Sequence, residues 1–488
     1  MRRPGDDEGW RVRARRCTAR WRARAGSVGA SGAGRAGVVT LASAVVLGLG
    51  SVSPGAFAAA SAGTTAATAT RAAVADAAGP VEGAGNLRSA SGALGTYAFA
   101  EDARRIDGTV STADAVELVP GRTYRSTLPA GGRVYYRLEL DATTNVYASA
   151  TAVPPAGRTA SVIDGVKVSV EDSEGRACDV DTASFGAAGS PHPVAAWAMR
   201  EISPRKSLCK EAGTYYVAVE RVDPDGEGSS PDPWEMELTA VSEPPLEKAG
   251  ATRAPQEWNS APPRPIAGKP ERRPGAAGFA RATPVGQGVW RDDIRPGQTL
   301  FYKVPVDWGR QLYATAELGS SGSGGSGYVA AALDLDLYNP ARGHVADAGI
   351  GYDGAQKAES LAPLPPVAYV NRHAVSRQAG AMRFAGSYYL VAHLSAEVAD
   401  AFGDGPVPLT LRVRLSGGAQ DGPGYAGEPV PSGVFTVTGQ DRQTAAEGAA
   451  AGDDAAFRAL AVGGIGTGSA LLVGLGVWTL VARRRARS

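Results

Sequence analysis

Two stretches of the chain alternate between apolar and polar positions with a period of two, and they are copies of one another. In residues 132–150, GRVYYRLELDATTNVYASA, the positions Val134, Tyr136, Leu138 and Leu140 alternate with Arg133, Tyr135, Arg137 and Glu139. That is the pattern of a strand with one face on a core and the other in water. Asp141 to Asn145 then supplies turn chemistry, and Val146, Ala148 and Ala150 resume the alternation. Residues 298–316, QTLFYKVPVDWGRQLYATA, match this stretch without a gap at an offset of 166, pairing Tyr136 with Tyr302, Asp141 with Asp307 and Tyr147 with Tyr313. The match predicts one β fold present twice. Pro305 cannot donate to a ladder, so its strand is expected at a sheet edge or a bulge.

Further short strands follow the same order in both halves. In the first they are Thr96 to Phe99, Glu117 to Val119, Thr123 to Leu128, Gly165 to Val170, Ala212 to Glu220 and Glu235 to Val241. In the second they are Val289 to Ile294, Leu300 to Val306, Gln311 to Glu317, Ala331 to Tyr338, Ala385 to His393 and Leu409 to Leu415. Ala212-Gly-Thr-Tyr-Tyr216 matches Ala385-Gly-Ser-Tyr-Tyr389 at an offset of 173. Strands that keep their order while loops vary predict two β-sandwiches of one topology. A short helix is expected at Val194 to Arg200.

Composition adds a compartment. Residues 1–58 carry ten arginines against Asp6, Asp7 and Glu8, followed by an apolar stretch from Gly37 to Gly50 and Ala56-Phe-Ala58, the form of a secretory leader. Ala459 to Ala482 holds 24 residues without a charge, about 36 Å as a helix, and Arg483, Arg484, Arg485 and Arg487 follow it. This predicts a single-pass type I membrane protein with its bulk outside the cell membrane and its C-terminus in the cytoplasm. The expected order is a signal peptide at 1–58 with a long basic n-region, a disordered segment at 59–90, and β-sandwich domains at 91–242 and 285–416 joined by a Pro-rich linker at 243–284. A flexible stalk at 417–458, a transmembrane helix at 459–482 and a basic tail at 483–488 complete it. Gly464 and Gly468 would let two such helices approach closely and self-associate.

Between leader and tail lie 36 basic and 46 acidic residues. A mildly acidic ectodomain argues against nucleic acid, whose phosphates require a basic face. Once the leader has taken Cys17 away, Cys178 and Cys209 remain in an exported domain, and one disulfide is expected. Closing a loop of that length contributes roughly 3 to 4 kcal/mol in the chain-entropy account.

A PG turn, a YY-type strand, a DLDLY strand and an AGxYY strand stand here as Arg295-Pro-Gly297, Phe301-Tyr302, Asp334-Leu-Asp-Leu-Tyr338 and Ala385-Gly-Ser-Tyr-Tyr389. Together they resemble the bacterial pre-peptidase C-terminal (PPC) domain, a small jelly-roll-like β-sandwich. The resemblance covers roughly 91–242 and 285–416; the first copy departs from it with Lys167-Val-Ser-Val170 in place of DLDL. The tandem with its anchor also resembles ectodomains of actinobacterial surface proteins, some of which carry a von Willebrand type A domain; no DxSxS motif occurs here. The resemblance implies an accessory module that binds, spaces or displays, without catalysis of its own.

The reactive side chains agree with that implication. No GxSxG, HExxH or P-loop is present, and none of the four histidines has the neighbours of a triad or a metal motif. Ser203-Pro-Arg-Lys206 fits SxxK, but Pro204 opposes the helix the motif needs. Asp334 and Asp336 leave one strand face together, a weak calcium candidate if loop carbonyls joined them. In each aromatic pair one ring must face outward, which makes Tyr135, Tyr215 and Tyr388 candidates for a binding surface. The expectation is a non-enzyme without cofactor: a binding or adhesion module of the cell envelope whose partner is an envelope polysaccharide or protein. The alternative is a structural or accessory subunit assembled through its transmembrane helix.

Overall fold

A computed structural model describes residues 96–447, apart from 156, 158–159, 205, 223–228, 256, 265 and 323. The expected leader, the 59–90 segment, the transmembrane segment with Gly464 and Gly468, and the basic tail lie outside the described residues. Among those described, no helix is long and apolar enough to cross a membrane.

The chain forms two β-sandwiches. The first contains β1 (Arg104–Arg105), β2 (Val116–Glu117), β3 (Thr123–Leu128), β4 (Arg133–Leu140), β5 (Asn145–Val153), β6 (Gly165–Glu171), β7 (Ala177–Ser184), β8 (Val194–Arg200), β9 (Gly213–Val222) and β10 (Trp234–Glu243). The second contains β11 (Glu271–Arg272), β12 (Thr283–Pro284), β13 (Gly288–Ile294), β14 (Thr299–Val306), β15 (Gln311–Leu318), β16 (Val329–Tyr338), β17 (His344–Tyr352), β18 (Lys357–Ser360), β19 (Gly386–Leu394) and β20 (Val407–Ser416). Short helices α1 (Arg377–Ala381) and α2 (Glu397–Phe402) flank β19, and α3 (Gly439–Glu447) follows β20.

Strand order confirms the duplication. Sheets β1-β3-β10-β5-β8 and β2-β4-β9-β6-β7 in the first sandwich correspond strand for strand to β11-β13-β20-β15-β18 and β12-β14-β19-β16-β17 in the second. The repeated stretches are β4–β5 and β14–β15. Asp141 closes the first turn as its residue type predicts, accepting hydrogen bonds from the Thr143 and Thr144 amides at 2.7 and 2.6 Å. β12 reaches only Tyr302 and Lys303 of β14, which leaves Pro305 on an open edge where its missing N–H costs no ladder bond. Cys178 and Cys209 are disulfide-bonded, and the buried Arg200 ties the same loop down by donating to the carbonyls of Cys209, Lys210 and Glu211.

Alternation fails where the two sandwiches meet. β5 is buried from Asn145 to Ala152 and β8 along its whole length. One face, with Val146, Ala148, Ala196 and Ala198, fills the first core. The other, with Tyr147, Trp197 and Met199, packs into the core of the second sandwich. Val194 to Arg200 is therefore a strand and not the expected helix: a strand covered on both sides shows a continuous apolar run. Tyr97, Ala195, Phe279, Phe301, Tyr338 and Val391 form a further cluster between the sandwiches. Gly343 lies so close to Trp197 that a Cβ there would sit 2.3 Å from the indole, so only glycine admits this approach.

Two expected spacers are structured. The proposed linker contributes β11, β12 and the buried Phe279 to the second sandwich and to the junction. The proposed flexible stalk folds back from 417 to 447. Tyr425 and Val430 bridge to Leu246 and Ser242, Phe435 stacks on Phe384 at 4.2 Å, and Arg442 pairs with Asp307 at 2.6 Å. Isolated anchoring side chains in a Gly- and Pro-rich segment suffice to dock it.

Two buried carboxylates of β10 cross the junction. Glu243 takes both guanidinium arms of Arg372 at 2.9 and 2.6 Å, with further hydrogen bonds from Asn145, Tyr147 and Tyr425. Glu237 takes Arg342 at 2.5 Å, Tyr97 at 3.0 Å and the Ala100 amide at 2.8 Å. Burial pushes the Glu243 carboxyl up, but Arg372 and the hydrogen bonds outweigh it and hold the group below the usual carboxylate range. Truncating one member of a buried pair strands the other charge, at a cost of about 3–5 kcal/mol. Glu243→Ala is accordingly expected to lose about that much stability in urea denaturation of the chain; an unchanged midpoint would contradict the junction described here.

Candidate functional site

The two sandwiches do not close completely. At the edge of their junction a cleft of about 520 Å³ is lined by Asp181 to Ala187, His192 and Val194 of the first and by Ala330, Ala331, Asp334, Asp336, Tyr338, His344, Asp347 and Gly349 of the second. Its floor is β16. There Leu333, Leu335 and Leu337 enter the core, and the alternate positions Asp334, Asp336 and Tyr338 face the first sandwich. β17 runs antiparallel beside it, which sets Asp347 opposite Asp336 and Gly349 opposite Asp334. The opposite wall, β7, contributes Asp181, which pairs with Arg377 at 3.2 Å.

The cleft is rich in carboxylates, and their surroundings separate them. Burial, with the charges of Asp336 and Asp347, pushes the Asp334 carboxyl up to about 7. Burial likewise raises Asp181, and Arg377 works against it. Burial alone would lower His344, but its hydrogen bond to Asp336 at 3.1 Å and the nearby carboxylates raise it on balance. Burial lowers His192. The arrangement offers hydrogen-bond acceptors and negative potential beside the Tyr338 ring. That combination suits a ligand bearing hydroxyl, amine or guanidinium groups.

Of the residues singled out from the sequence, Asp334 and Asp336 do line this cleft. Among the described residues no group of three or more His, Cys, Asp or Glu side chains could hold a metal ion. Tyr215 and Tyr388 are not surface residues: they are 4% and 0% exposed, in the first and second cores. The outward members of those pairs are Tyr216 and Tyr389. The sequence held the signal, since Tyr215 alternates in phase with Val217 and Val219, whereas Tyr216 is in phase with Glu220. Tyr389 packs edge-on against Phe279 at 5.1 Å within the junction. Tyr135 lies half-buried on β4 with Thr109 bridged to it, away from the cleft residues. Asp181, Asp347, His192 and His344 were missed, because only tertiary pairing gathers them.

No protein-family model matches the chain, and no curated protein matches it. Among solved structures it is similar to the CUB1-EGF-CUB2 domain of human MASP-1/3, with 9% identity and a TM-score of 0.15 over 60% of this chain and 99% of that one. It is also similar to the CBM22-1-CBM22-2 tandem of Xyn10C from Paenibacillus barcinonensis, with 9% identity and a TM-score of 0.16 over 59% and 84%. The tandem CBM51 modules of Sp3GH98 from Streptococcus pneumoniae match at 8% identity and a TM-score of 0.17 over 60% and 83%. Similarities this low carry no argument about function.

Asp334 provides a test of the cleft's electrostatics. Its folded value lies above the ordinary one of 3.8, so the ionised carboxyl costs stability, progressively from pH 4 to 7 and fully above 7. Discounted for solvent in the open cleft, the cost is about 1–2 kcal/mol. Asp334→Asn should stabilise the protein by that amount at pH 8, and the gain should vanish by pH 4; a loss of stability at pH 8 would show that the carboxylate is compensated.

Proposed function

We propose that this protein is a non-catalytic binding or adhesion module of the cell envelope, held at the membrane by 459–482 and displayed outside it, and that the cleft between its sandwiches is the binding site. The observation that carries this reading is the joint construction of the cleft. Each sandwich supplies one wall, and the buried ion pairs Glu237–Arg342 and Glu243–Arg372 tie the two sandwiches together. A preformed concave site loses little conformational entropy on binding. The partner is an envelope polysaccharide or protein that presents hydroxyl or cationic groups to Asp334, Asp336 and Asp347.

The test is a pull-down from envelope extract with residues 91–447 as bait, beside the full chain in its membrane. Polysaccharide or protein retained by the soluble bait, and lost at least tenfold on Asp347→Arg, supports the cleft. Asp347 suits this reversal because its side chain is 73% exposed, which leaves the fold undisturbed. Retention by the anchored chain alone would overturn the reading in favour of a subunit assembled through its helix, and Gly464→Leu with Gly468→Leu would then abolish that retention.

A further inference from the structure

Two buried histidines meet across the junction. His192 precedes β8 in the first sandwich, and His393 lies on the outward face of β19 in the second. Their rings stack across the boundary with centroids 4.2 Å apart and planes 21° from parallel, at 7% and 1% exposure. Ser190 ties both rings. Its carbonyl oxygen lies 2.8 Å from His192 Nδ1, so that nitrogen carries the proton and donates it. Its hydroxyl accepts from the Ala396 amide at 3.1 Å, which leaves its own hydrogen for His393 Nε2 at 2.9 Å. His393 Nδ1 then donates to Thr299 Oγ1 at 3.0 Å. Each imidazole thus fits its surroundings with one proton. A second proton on His393 must go to Nε2, where it removes the acceptor that Ser190 uses across the boundary. Charging both rings would leave two cations stacked in a buried contact.

We propose that the His192–His393 stack is an acid-sensitive latch: in mild acid it takes up protons, releases the two sandwiches on this side and widens the cleft that His192 lines. The latch stands on the contact between the sandwiches and requires no ligand.

The charged groups around the stack decide how acid acts on it. On β16, Asp334 is the register neighbour of His393, and Asp336 lies two residues on. β17 contributes His344 and Asp347, and β7 contributes Asp181 with its partner Arg377. From the first sandwich, Phe185 packs edge-on against His192; from the second, the Thr299 hydroxyl of β14 and the Gln298 carbonyl just before it face His393, and the carbonyl partly favours its charged form. Burial lowers His192, and burial together with His192 lowers His393 well below its ordinary value. The closed form therefore binds fewer protons than the open one, and its advantage is lost as pH falls below the ordinary histidine value of about 6.5. Each histidine shifts the open-to-closed ratio by up to tenfold per pH unit. The raised carboxyls of Asp334 and Asp181 act in the opposite sense. For Asp334 part of the rise comes from Asp336 and Asp347 on its own sheet and persists on opening. Glu243, held low, gives way only below the usual carboxylate range.

The test reads the distance between spin labels on exposed sites of the two sandwiches, Ile163→Cys and Tyr328→Cys, in the full chain carrying Cys17→Ser. These side chains are 57% and 68% exposed. One short-distance population at pH 7.5 should give way to a longer one at pH 5.5. His192→Gln with His393→Gln should lower the open-to-closed ratio reached at pH 5.5 at least tenfold. Should that pair fail to fold, His192→Phe keeps a stacked ring that cannot charge and is expected to remove about half of the logarithmic response. No change with pH in the parent, or the same change in the histidine variants, would overturn the latch. Because no ligand enters, failure here leaves the binding reading to its own pull-down.

Discussion

A single buried carboxylate, Glu243 at the end of β10, holds the molecule in one piece. It belongs to the first sandwich, yet one of its partners is Arg372 of the second and another is Tyr425 of the segment that follows both. Burying a carboxylate without such partners would cost several kcal/mol, so the group is tolerable only when all three parts of the chain are in place. Glu237 repeats the device with Arg342 further along the same strand. The two glutamates stand on the outward face of the central strand of a sheet that would otherwise expose Tyr147, Trp197, Met199 and Val241, and covering that face gives the junction its hydrophobic substance.

From this constraint follows the acidic cleft between the sandwiches. A flexible connection would let the sandwiches move independently, and no concavity between them could keep its form. With the junction closed, β16 and β17 of one sandwich and β7 of the other become walls of one cleft, whose acidic character is set by Asp181, Asp334, Asp336 and Asp347. The same closure buries His192 against His393 and makes the junction sensitive to protons. Stability, the proposed binding surface and its proposed regulation thus rest on one interface.

The sequence displayed the architecture of each sandwich more clearly than their union. β4 kept its alternation because one of its faces is wet, and β14, buried on both faces except at Lys303, was located through its match to β4; the two cysteines left after the expected leader sufficed to predict the bond between Cys178 and Cys209. β8 lost its period because both faces are covered, and VAAWAMR then resembles a buried helix as much as a strand. The returning segment left no pattern at all, because Tyr425, Val430 and Phe435 dock singly at irregular spacing. Of the site, the two aspartates of the DLDLY strand were visible. Their cross-strand and cross-domain companions were not, since nothing in a linear chain announces that residue 181 will face residue 334. Tyr135 was placed outward correctly, but the pairs Tyr215–Tyr216 and Tyr388–Tyr389 were misassigned for a simpler reason: the strand's phase is set by the residues after the pair, Val217 and Val219 in one copy and Leu390 and Ala392 in the other.

The claim that the two sandwiches form one cooperative body is tested most directly by calorimetry of residues 91–447. A single transition with equal calorimetric and van't Hoff enthalpies is predicted, because neither sandwich can unfold without stranding Glu243, Arg372 and the apolar face between them. Two separate transitions, or one whose van't Hoff enthalpy is about half the calorimetric value, would show that the sandwiches melt independently and that the junction does not hold them together.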